Sequence, residues 1–148
     1  MIDDFIQNLK ESLAKPKKVI IIPHRNADGD ALGSSLALKL FLSQKGHEVH
    51  VVSPNDYPSF LKWLPGESEV LKYNRTPKLA RDTIRKADLI FTLDFNSLSR
   101  IEDLTNIVKN ASGDKIMIDH HEDPEDFALF QYSDTSMSST CEMVYNVI

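Results

Sequence analysis

The chain alternates between short apolar runs and longer stretches in which apolar residues recur every three or four positions. The short runs predict strands at residues 19–22, 47–52, 88–94 and 115–118, and weaker ones at 70–71 and 127–132. The helical spacing predicts helices over residues 2–14, 31–45, 77–86 and about 99–110. This alternation of strand and helix predicts an α/β fold, with a mostly parallel sheet and helices on both faces.

Capping residues predict where two of the helices begin. Thr76 is a suitable N-cap, with Pro77 as the first helical residue. Ser139 and Glu142 have the S-x-x-E spacing of a capping box, so helix capping explains Ser138–Thr140 without a bound phosphate. That last helix runs into apolar residues without a glycine cap or a polar tail. This ending predicts a C-terminally truncated domain, the front part of a longer protein.

The composition limits the class of protein. With 148 residues, 41% hydrophobic and 26% charged, the chain is long enough for one globular domain. Its 17 basic and 22 acidic residues give a net charge of −5, which argues against binding of duplex nucleic acid through a basic surface. The single cysteine cannot form an internal disulfide, and no apolar run is long enough to span a membrane. We therefore expect a cytoplasmic protein that has no membrane partner.

Polar residues that can bind metals follow three of the predicted strands. The turn after the first strand carries His24, Arg25, Asn26, Asp28 and Asp30. The ends of the two other strands carry Asp94, Asp119, His120 and His121. Since the carboxyl ends of parallel strands share one edge of a sheet, we expect these side chains to converge there.

This donor set predicts a metal site with two ions. Carboxylates mixed with imidazoles and without a thiolate favour Mn²⁺, with Mg²⁺ or Zn²⁺ as alternatives. Two such ions about 3.5–4 Å apart stabilise the attacking and the leaving oxygen of a phosphoryl displacement. One carboxylate has to bridge the ions, and the middle position of Asp94 among the three strand ends suits that role.

Each of these motifs also has a structural explanation when it is taken alone. Aspartates follow strands in receiver-type signalling domains and in nucleotide-binding folds, and an Asp-Gly pair is common in turns. An EF-hand is excluded, because Ala31 and Ala37 occupy its glycine and glutamate positions. The sequence contains neither a Walker A motif nor a G-x-G-x-x-G loop. Only the combination of the three strand ends favours a metal site.

The chain resembles the DHH phosphoesterase superfamily in three motifs, which are H-R-N-A-D-G-D-A-L-G-S-S at 24–35, T-L-D at 92–94 and D-H-H at 119–121. That superfamily includes RecJ-type exonucleases, manganese pyrophosphatases, exopolyphosphatases and bifunctional nanoRNase/pAp phosphatases. Segments 58–66 and 138–142 resemble the last of these branches most closely. The resemblance implies that residues 1–148 form a Rossmann-like DHH catalytic domain.

The resemblance also implies how the metal ions are held. One Mn²⁺ would be bound by His24 and Asp28, and the other by Asp30 and His120, with Asp94 as the bridge. The superfamily has a further metal-binding aspartate in a fourth motif and a C-terminal substrate-binding domain, and both are absent from these 148 residues. The second ion would therefore lack one ligand, which puts full activity of this chain in doubt.

Other residues of the motifs receive roles in catalysis and substrate binding from the same resemblance. The implied catalytic residues are Asp94, His121 and Asp119. His121 would contact the scissile phosphate, and Asp119 would orient its neighbours through hydrogen bonds. Arg25 is a candidate for a second phosphate contact, and Asn26 is expected to pin the turn through its side-chain amide.

The expected function is that of a Mn²⁺-dependent phosphoesterase in which a hydroxide held between two metals attacks phosphorus in line. Its substrates would be short single-stranded oligoribonucleotides and 3′-phosphoadenosine 5′-phosphate. Exopolyphosphatase or pyrophosphatase activity is the alternative among enzymes. A non-catalytic α/β module that senses a metal or a nucleotide is the alternative of another class. Association into a homodimer stays open.

Five remaining candidates are expected to have structural positions. His47 and His50 flank a strand and are expected at the surface or at an edge. Phe60 and Trp63 could stack on a nucleobase, but packing in the core is the preferred interpretation. Cys141 is expected to be a small buried hydrophobic residue.

Overall fold

Six parallel strands form a single sheet in a computed structural model that describes residues 2–148. The strands are β1 (Lys18–Pro23), β2 (Glu48–Ser53), β3 (Leu71–Lys72), β4 (Leu89–Leu93), β5 (Asp114–Asp119) and β6 (Phe130–Ser133). Their order is β3-β2-β1-β4-β5-β6, and every neighbouring pair is parallel. The predicted α/β class and the parallel sheet are therefore confirmed.

Five α-helices among the described residues cover the two faces of this sheet. They are α1 (Ile2–Ser12), α2 (Gly29–Gln44), α3 (Pro77–Arg85), α4 (Thr105–Asn110) and α5 (Thr140–Val147). Buried residues of α1, α2 and α5 form one apolar core, and buried residues of α3 and α4 form the other. Strand β1 contributes to both, because Val19 and Ile21 face the first core while Ile20 and Ile22 face the second.

The order of the strands reverses at the centre of the sheet. From β1 the chain moves outward to β2 and β3, and it then returns to the other side of β1 to build β4, β5 and β6. The carboxyl ends of β1 and β4 therefore flank the point of reversal, where the connections leave in opposite directions and open a crevice. This is the position at which open α/β sheets bind their ligands.

The helix predicted for residues 99–110 is interrupted. Leu98–Leu104 forms 3-10 turns in which Glu102 has φ 48° and ψ −113°, and only Thr105–Asn110 is α-helical. The predicted strand at 127–132 is shorter as well, because regular pairing with β5 extends only over Phe130–Ser133. Among residues 2–148, no helix has both the length and the apolar character needed to cross a membrane.

Two predicted helix caps are only partly confirmed. Thr76 is the N-cap residue of α3, but its side chain makes no capping hydrogen bond. Ser139 caps α5, since its hydroxyl accepts a hydrogen bond from the backbone N–H of Glu142 at 3.1 Å. The Glu142 carboxylate accepts from the Ser138 hydroxyl at 2.9 Å, so Ser138 takes the place of the N-cap amide in the capping box.

The expectation that Phe60 and Trp63 pack in the core was wrong. Both side chains are exposed, Phe60 by 69% and Trp63 by 77%. Leu61 is buried in their place, and Leu64 packs against the same core. The apolar segment 60–64 therefore packs one side against the core through its leucines and exposes its aromatic residues to solvent.

The expectations for His47 and Cys141 were also wrong. His47 is buried, and its Nδ1 accepts a hydrogen bond from the backbone N–H of Lys17 at 3.1 Å. Burial lowers the pKa of His47, which favours the neutral ring that this bond requires. Cys141 is exposed, because α5 turns Thr140, Met143 and Val144 toward the protein instead.

Candidate metal centre

His24 is fixed by its own backbone at the end of β1. Its Nδ1 lies 2.6 Å from the carbonyl oxygen of Arg25, which acts as the acceptor when Nδ1 carries the proton. That tautomer leaves a lone pair on Nε2, the atom that faces Asp94 at 3.3 Å. The hydrogen bond with Asp94 raises the pKa of His24, although burial acts in the opposite direction. Metal binding would therefore compete with a proton on this ring.

The turn that follows is pinned to the loop after β2. Asn26 has a positive φ of 52°, and its backbone N–H donates to Asn55 Oδ1 at 2.8 Å. Asn55 Nδ2 donates in return to Asn26 Oδ1 at 2.6 Å. The side-chain amide of Asn26 thus ties the two loops together, as predicted.

Asp28 and Asp30 occupy the start of α2 but have different partners. Asp28 is the N-cap residue, and its Oδ1 accepts from the backbone N–H of Ala31 at 2.9 Å. Asp30 reaches across to the start of α5. Its Oδ2 accepts from the N–H of Thr140 at 3.0 Å, and its Oδ1 from the N–H of Cys141 at 2.8 Å. Burial would raise the pKa of Asp30, but these two N–H groups lower it and keep the carboxylate ionised.

Asp94 lies between two imidazoles immediately after β4. It is buried and has φ 67°, a left-handed conformation that is uncommon for residues other than glycine. Its Oδ2 lies 3.3 Å from His24 Nε2, and its Oδ1 lies 3.3 Å from His120 Nε2. The two oxygens thus face two different rings, which is the arrangement expected of a carboxylate that bridges two ions.

The end of β5 brings two histidines, His120 and His121, beside Asp94. The buried Asp119 accepts from the backbone N–H of His121 at 2.9 Å, and its other oxygen lies 2.6 Å from His121 Nδ1. The rings of His120 and His121 are 4.4 Å apart. Asn96 donates to the carbonyl oxygens of His121 and Glu122, which holds this loop in place. Asp119 therefore orients His121 directly.

The distances between donors differ between the two expected ion sites. One donor set consists of His24, Asp28 and Asp94, and its separations from His24 Nε2 are 3.9 and 3.3 Å. In the other set, His120 Nε2 lies 3.7 Å from Asp30 and 3.3 Å from Asp94. Two donors that each lie about 2.1 Å from one ion are separated by about 3.0–3.4 Å. The three donor atoms of the first set lie within 4.8 Å of one another and would need only a small closure. In the second set, both carboxylates lie near His120 Nε2, and Asp30 would have to move closer to it.

His121 also belongs to this cluster. One ligand atom from each of Asp94, His120 and His121 lies within 4.8 Å of the others, so His121 is close enough to share an ion with them. Arg25 is directed elsewhere, because its guanidinium pairs with Glu102 at 3.1 Å. Both partners are about half exposed, so a phosphate would have to compete with Glu102 for Arg25.

Thr140 is the residue of the centre that the sequence did not indicate. Its buried hydroxyl donates to Asp94 Oδ1 at 2.9 Å, while its N–H donates to Asp30. One residue of α5 therefore contacts both carboxylates of the second donor set. The capping role of the preceding Ser139 accounts for the local pattern, so no sequence signal distinguished Thr140 from an ordinary first helical residue.

Comparison with known proteins places this centre in a family. Residues 18–148 match the DHH family, N-terminal domain. The chain belongs to the DHH family. It is 42% identical to an exopolyphosphatase-related protein from Bacteroides fragilis. The two structures superpose with a TM-score of 0.97, over 99% of this chain and 43% of that one. RecJ bound to manganese shares the fold, with a TM-score of 0.55 and 19% identity over 96% of this chain and 34% of that one.

Curated relatives extend the comparison. The bifunctional oligoribonuclease and PAP phosphatase NrnA of Thermus thermophilus is 32% identical, over 88% of this chain and 36% of its own length. The cyclic-di-AMP phosphodiesterase PdeA of Listeria monocytogenes is 26% identical, over 93% of this chain and 22% of its own length. The DHH chain described here thus spans well under half of either relative.

Proposed function

We propose that the protein is a metal-dependent phosphoesterase that acts on short single-stranded oligoribonucleotides and 3′-phosphoadenosine 5′-phosphate. The observation that carries the proposal is the position of Asp94, whose two oxygens face His24 and His120 at equal distances of 3.3 Å. Membership of the DHH family supports the reaction class. The name of the Thermus thermophilus relative supports the substrates.

The metal ligands in this proposal are the two donor sets that share Asp94. His24 and Asp28 would hold one ion, His120 and Asp30 the other, and Mn²⁺ is the proposed metal, with Mg²⁺ as a substitute. Such a pair of ions supplies Lewis acids that stabilise charge on the attacking and leaving oxygens. The chain itself supplies the orientation: the Arg25 carbonyl fixes the ring of His24, and α5 fixes Asp30 and Asp94.

His121 has a separate role in the proposal. Its Nδ1 is held by Asp119, so Nε2 is the nitrogen that is free to act on a phosphate oxygen. When both ring nitrogens carry a proton, His121 would donate a hydrogen bond from Nε2 to the scissile phosphate. This geometry suits positioning of the phosphate and stabilisation of its charge.

The test replaces Asp94 by Asn, which keeps the size of the side chain but removes its charge. The Mn²⁺-loaded protein is assayed on a ribonucleotide trimer, 3′-phosphoadenosine 5′-phosphate, cyclic-di-AMP and tripolyphosphate. We expect the unchanged protein to hydrolyse the first two substrates. The variant should hydrolyse them more than about 100-fold more slowly, a larger loss than removing a residue that only orients a metal ligand would cause. Asp114→Asn is the matched control, because Asp114 is exposed at the start of β5.

The pattern over the four substrates also separates the alternatives. Hydrolysis of tripolyphosphate alone would assign an exopolyphosphatase, and hydrolysis of cyclic-di-AMP alone would match the Listeria monocytogenes relative instead. If the unchanged protein hydrolyses none of the four substrates, and Asp94→Asn only weakens the binding of a nucleotide, the proposal is contradicted and a sensing module is favoured.

A further inference from the structure

Phe60 and Trp63, called the aromatic pair below, are two exposed aromatic side chains in the loop between β2 and β3. Their side chains are 69% and 77% exposed, unlike the neighbouring Leu61, which is buried. Large aromatic side chains lose favourable burial when they face water, at about 25 cal/mol for each Å². The metal centre described above makes no use of either ring.

The backbone turns of this segment separate its inward-facing leucines from its exposed aromatic residues. The N–H groups of Leu61, Lys62 and Leu64 donate to carbonyl oxygens three residues earlier, at 3.1, 3.0 and 3.2 Å. Side chains three residues apart are eclipsed in such 3-10 turns. Leu61 and Leu64 therefore share the inner side, and Phe60 and Trp63 share the outer side.

The inner side of this segment packs beside the proposed ligands. The Leu61 side chain comes within 4.0 Å of the position that a Cβ would take at Gly29, the residue between Asp28 and Asp30. The two hydrogen bonds between Asn26 and Asn55 join the same loop to the turn after β1. The loop that carries the aromatic pair is thus attached to the start of α2, at the edge where the donor sets converge.

We propose that the aromatic pair is a stacking site for a nucleobase of a single-stranded substrate whose phosphate lies in the metal centre. This inference rests on the proposed phosphoesterase function and adds a base-binding site to it. Aromatic side chains on which bases stack are a general means of binding single-stranded nucleic acid without reading its sequence. The site would therefore accept purines and pyrimidines.

Size and charge favour a base over other occupants. Two side chains offer far less area than the roughly 800 Å² that each partner contributes to a stable protein interface. Lys62, between the two rings in sequence, pairs with Asp56 at 2.7 Å, and Arg75 pairs with the same carboxylate at 2.8 Å. Asp56 offsets only one of these two positive charges, so the surface keeps one positive charge near the rings, which suits a base that is joined to a phosphate backbone.

Fluorescence offers a direct test, because Trp63 is the only tryptophan of the chain. The probe is a phosphorothioate-linked adenosine trimer with Mg²⁺, and tripolyphosphate with Mg²⁺ is the control without a base. We expect the trimer to quench the emission and tripolyphosphate to leave it unchanged. Quenching by both, or by neither, would overturn the proposal.

Kinetics of variants complete the test. In the Mn²⁺-loaded protein, Trp63→Ala should raise the KM for an adenosine trimer about tenfold, and Trp63→Phe should restore it. The inhibition constant of tripolyphosphate should not change in either variant. Leu79→Ala is the control, because this exposed residue lies near Lys18 and Glu48, where β1 and β2 begin.

Failure of this inference can be distinguished from failure of the proposed function. If Trp63→Ala weakens the binding of the trimer and of tripolyphosphate equally, the aromatic pair has a structural role only, and the inference is overturned. If acrylamide fails to quench Trp63 before any ligand is added, a protein surface covers the ring and the inference is also overturned. Quenching by the trimer in a protein that hydrolyses nothing would support the base site while contradicting the phosphoesterase.

Discussion

Asp28 and Asp30 lie two residues apart at the start of α2, yet they are held in opposite ways. The side chain of Asp28 is 64% exposed, and its hydrogen bond is to the first turn of its own helix. Asp30 is tied through both of its oxygens to the first two residues of α5, more than a hundred positions later in the chain. One donor set therefore depends on local structure and the other on tertiary structure.

This difference bears on how each ion would bind. The set that contains Asp30 is already fixed by α5, so little ordering is needed when an ion enters. The set that contains Asp28 has an exposed carboxylate, 3.9 Å from His24, whose side chain has to be ordered when an ion binds. We expect the Asp30 set to keep its geometry in the metal-free protein, and the Asp28 set to become ordered on binding.

The largest effect should come from removing the residue that both sets share. Crystals of the protein soaked in Mn²⁺ should show two anomalous peaks at the manganese edge, about 3.5–4 Å apart. Crystals of Asp94→Ala should show none, because each set then loses its common carboxylate. Two peaks in the variant would refute the bridge, and one peak in the unchanged protein would identify the stronger set.

Thr140 offers a more selective change. Thr140→Val keeps the shape of the side chain but removes the hydroxyl that donates to Asp94 Oδ1, the oxygen that faces His120. We expect Mn²⁺ affinity to fall by about 10- to 100-fold, mainly at the Asp30 set, as measured by calorimetric titration. Thr140→Ser keeps the hydroxyl and should bind as the unchanged protein does. Equal losses in both variants would assign Thr140 to packing alone.

The smallest effect concerns stability without metal. In urea unfolding with a chelator present, Asp30→Ala should lose about 2 kcal/mol, because two N–H groups at a helix start lose a charged acceptor. Asp28→Ala should lose about 1 kcal/mol, the usual cost of removing an N-cap. Equal losses, or the reverse order, would show that α5 does not depend on Asp30.

The strand ends could be predicted because their signals are local. The run Val19–Ile22 predicts a buried strand from four residues, and the sheet then brings His24, Asp94 and His120 to one edge whatever the details of the loops. The parallel direction of the strands follows from the alternation of strands and helices, whereas the order of the strands in the sheet was not predicted. The roles of these residues as ligands remain predictions that the metal experiments have to test.

The missed features depend on partners that are distant in sequence. Nothing near Thr140 indicates that its N–H and hydroxyl meet Asp30 and Asp94. The exposure of Trp63 follows from the choice of Leu61 for the core, and composition cannot make that choice. Glu102 adopts a positive φ in the segment that pairs with Arg25, although its residue type favours a continuous helix.

The contact between α5 and α2 also gives the centre an order of assembly during synthesis. The residues of the first donor set are all translated by Asp94, and β1 and β4 are adjacent strands, so this half can form early. The N–H groups that hold Asp30 are translated only at Thr140 and Cys141. At about 5–20 residues per second, the nascent chain would carry one completed half-site for several seconds before the other half exists.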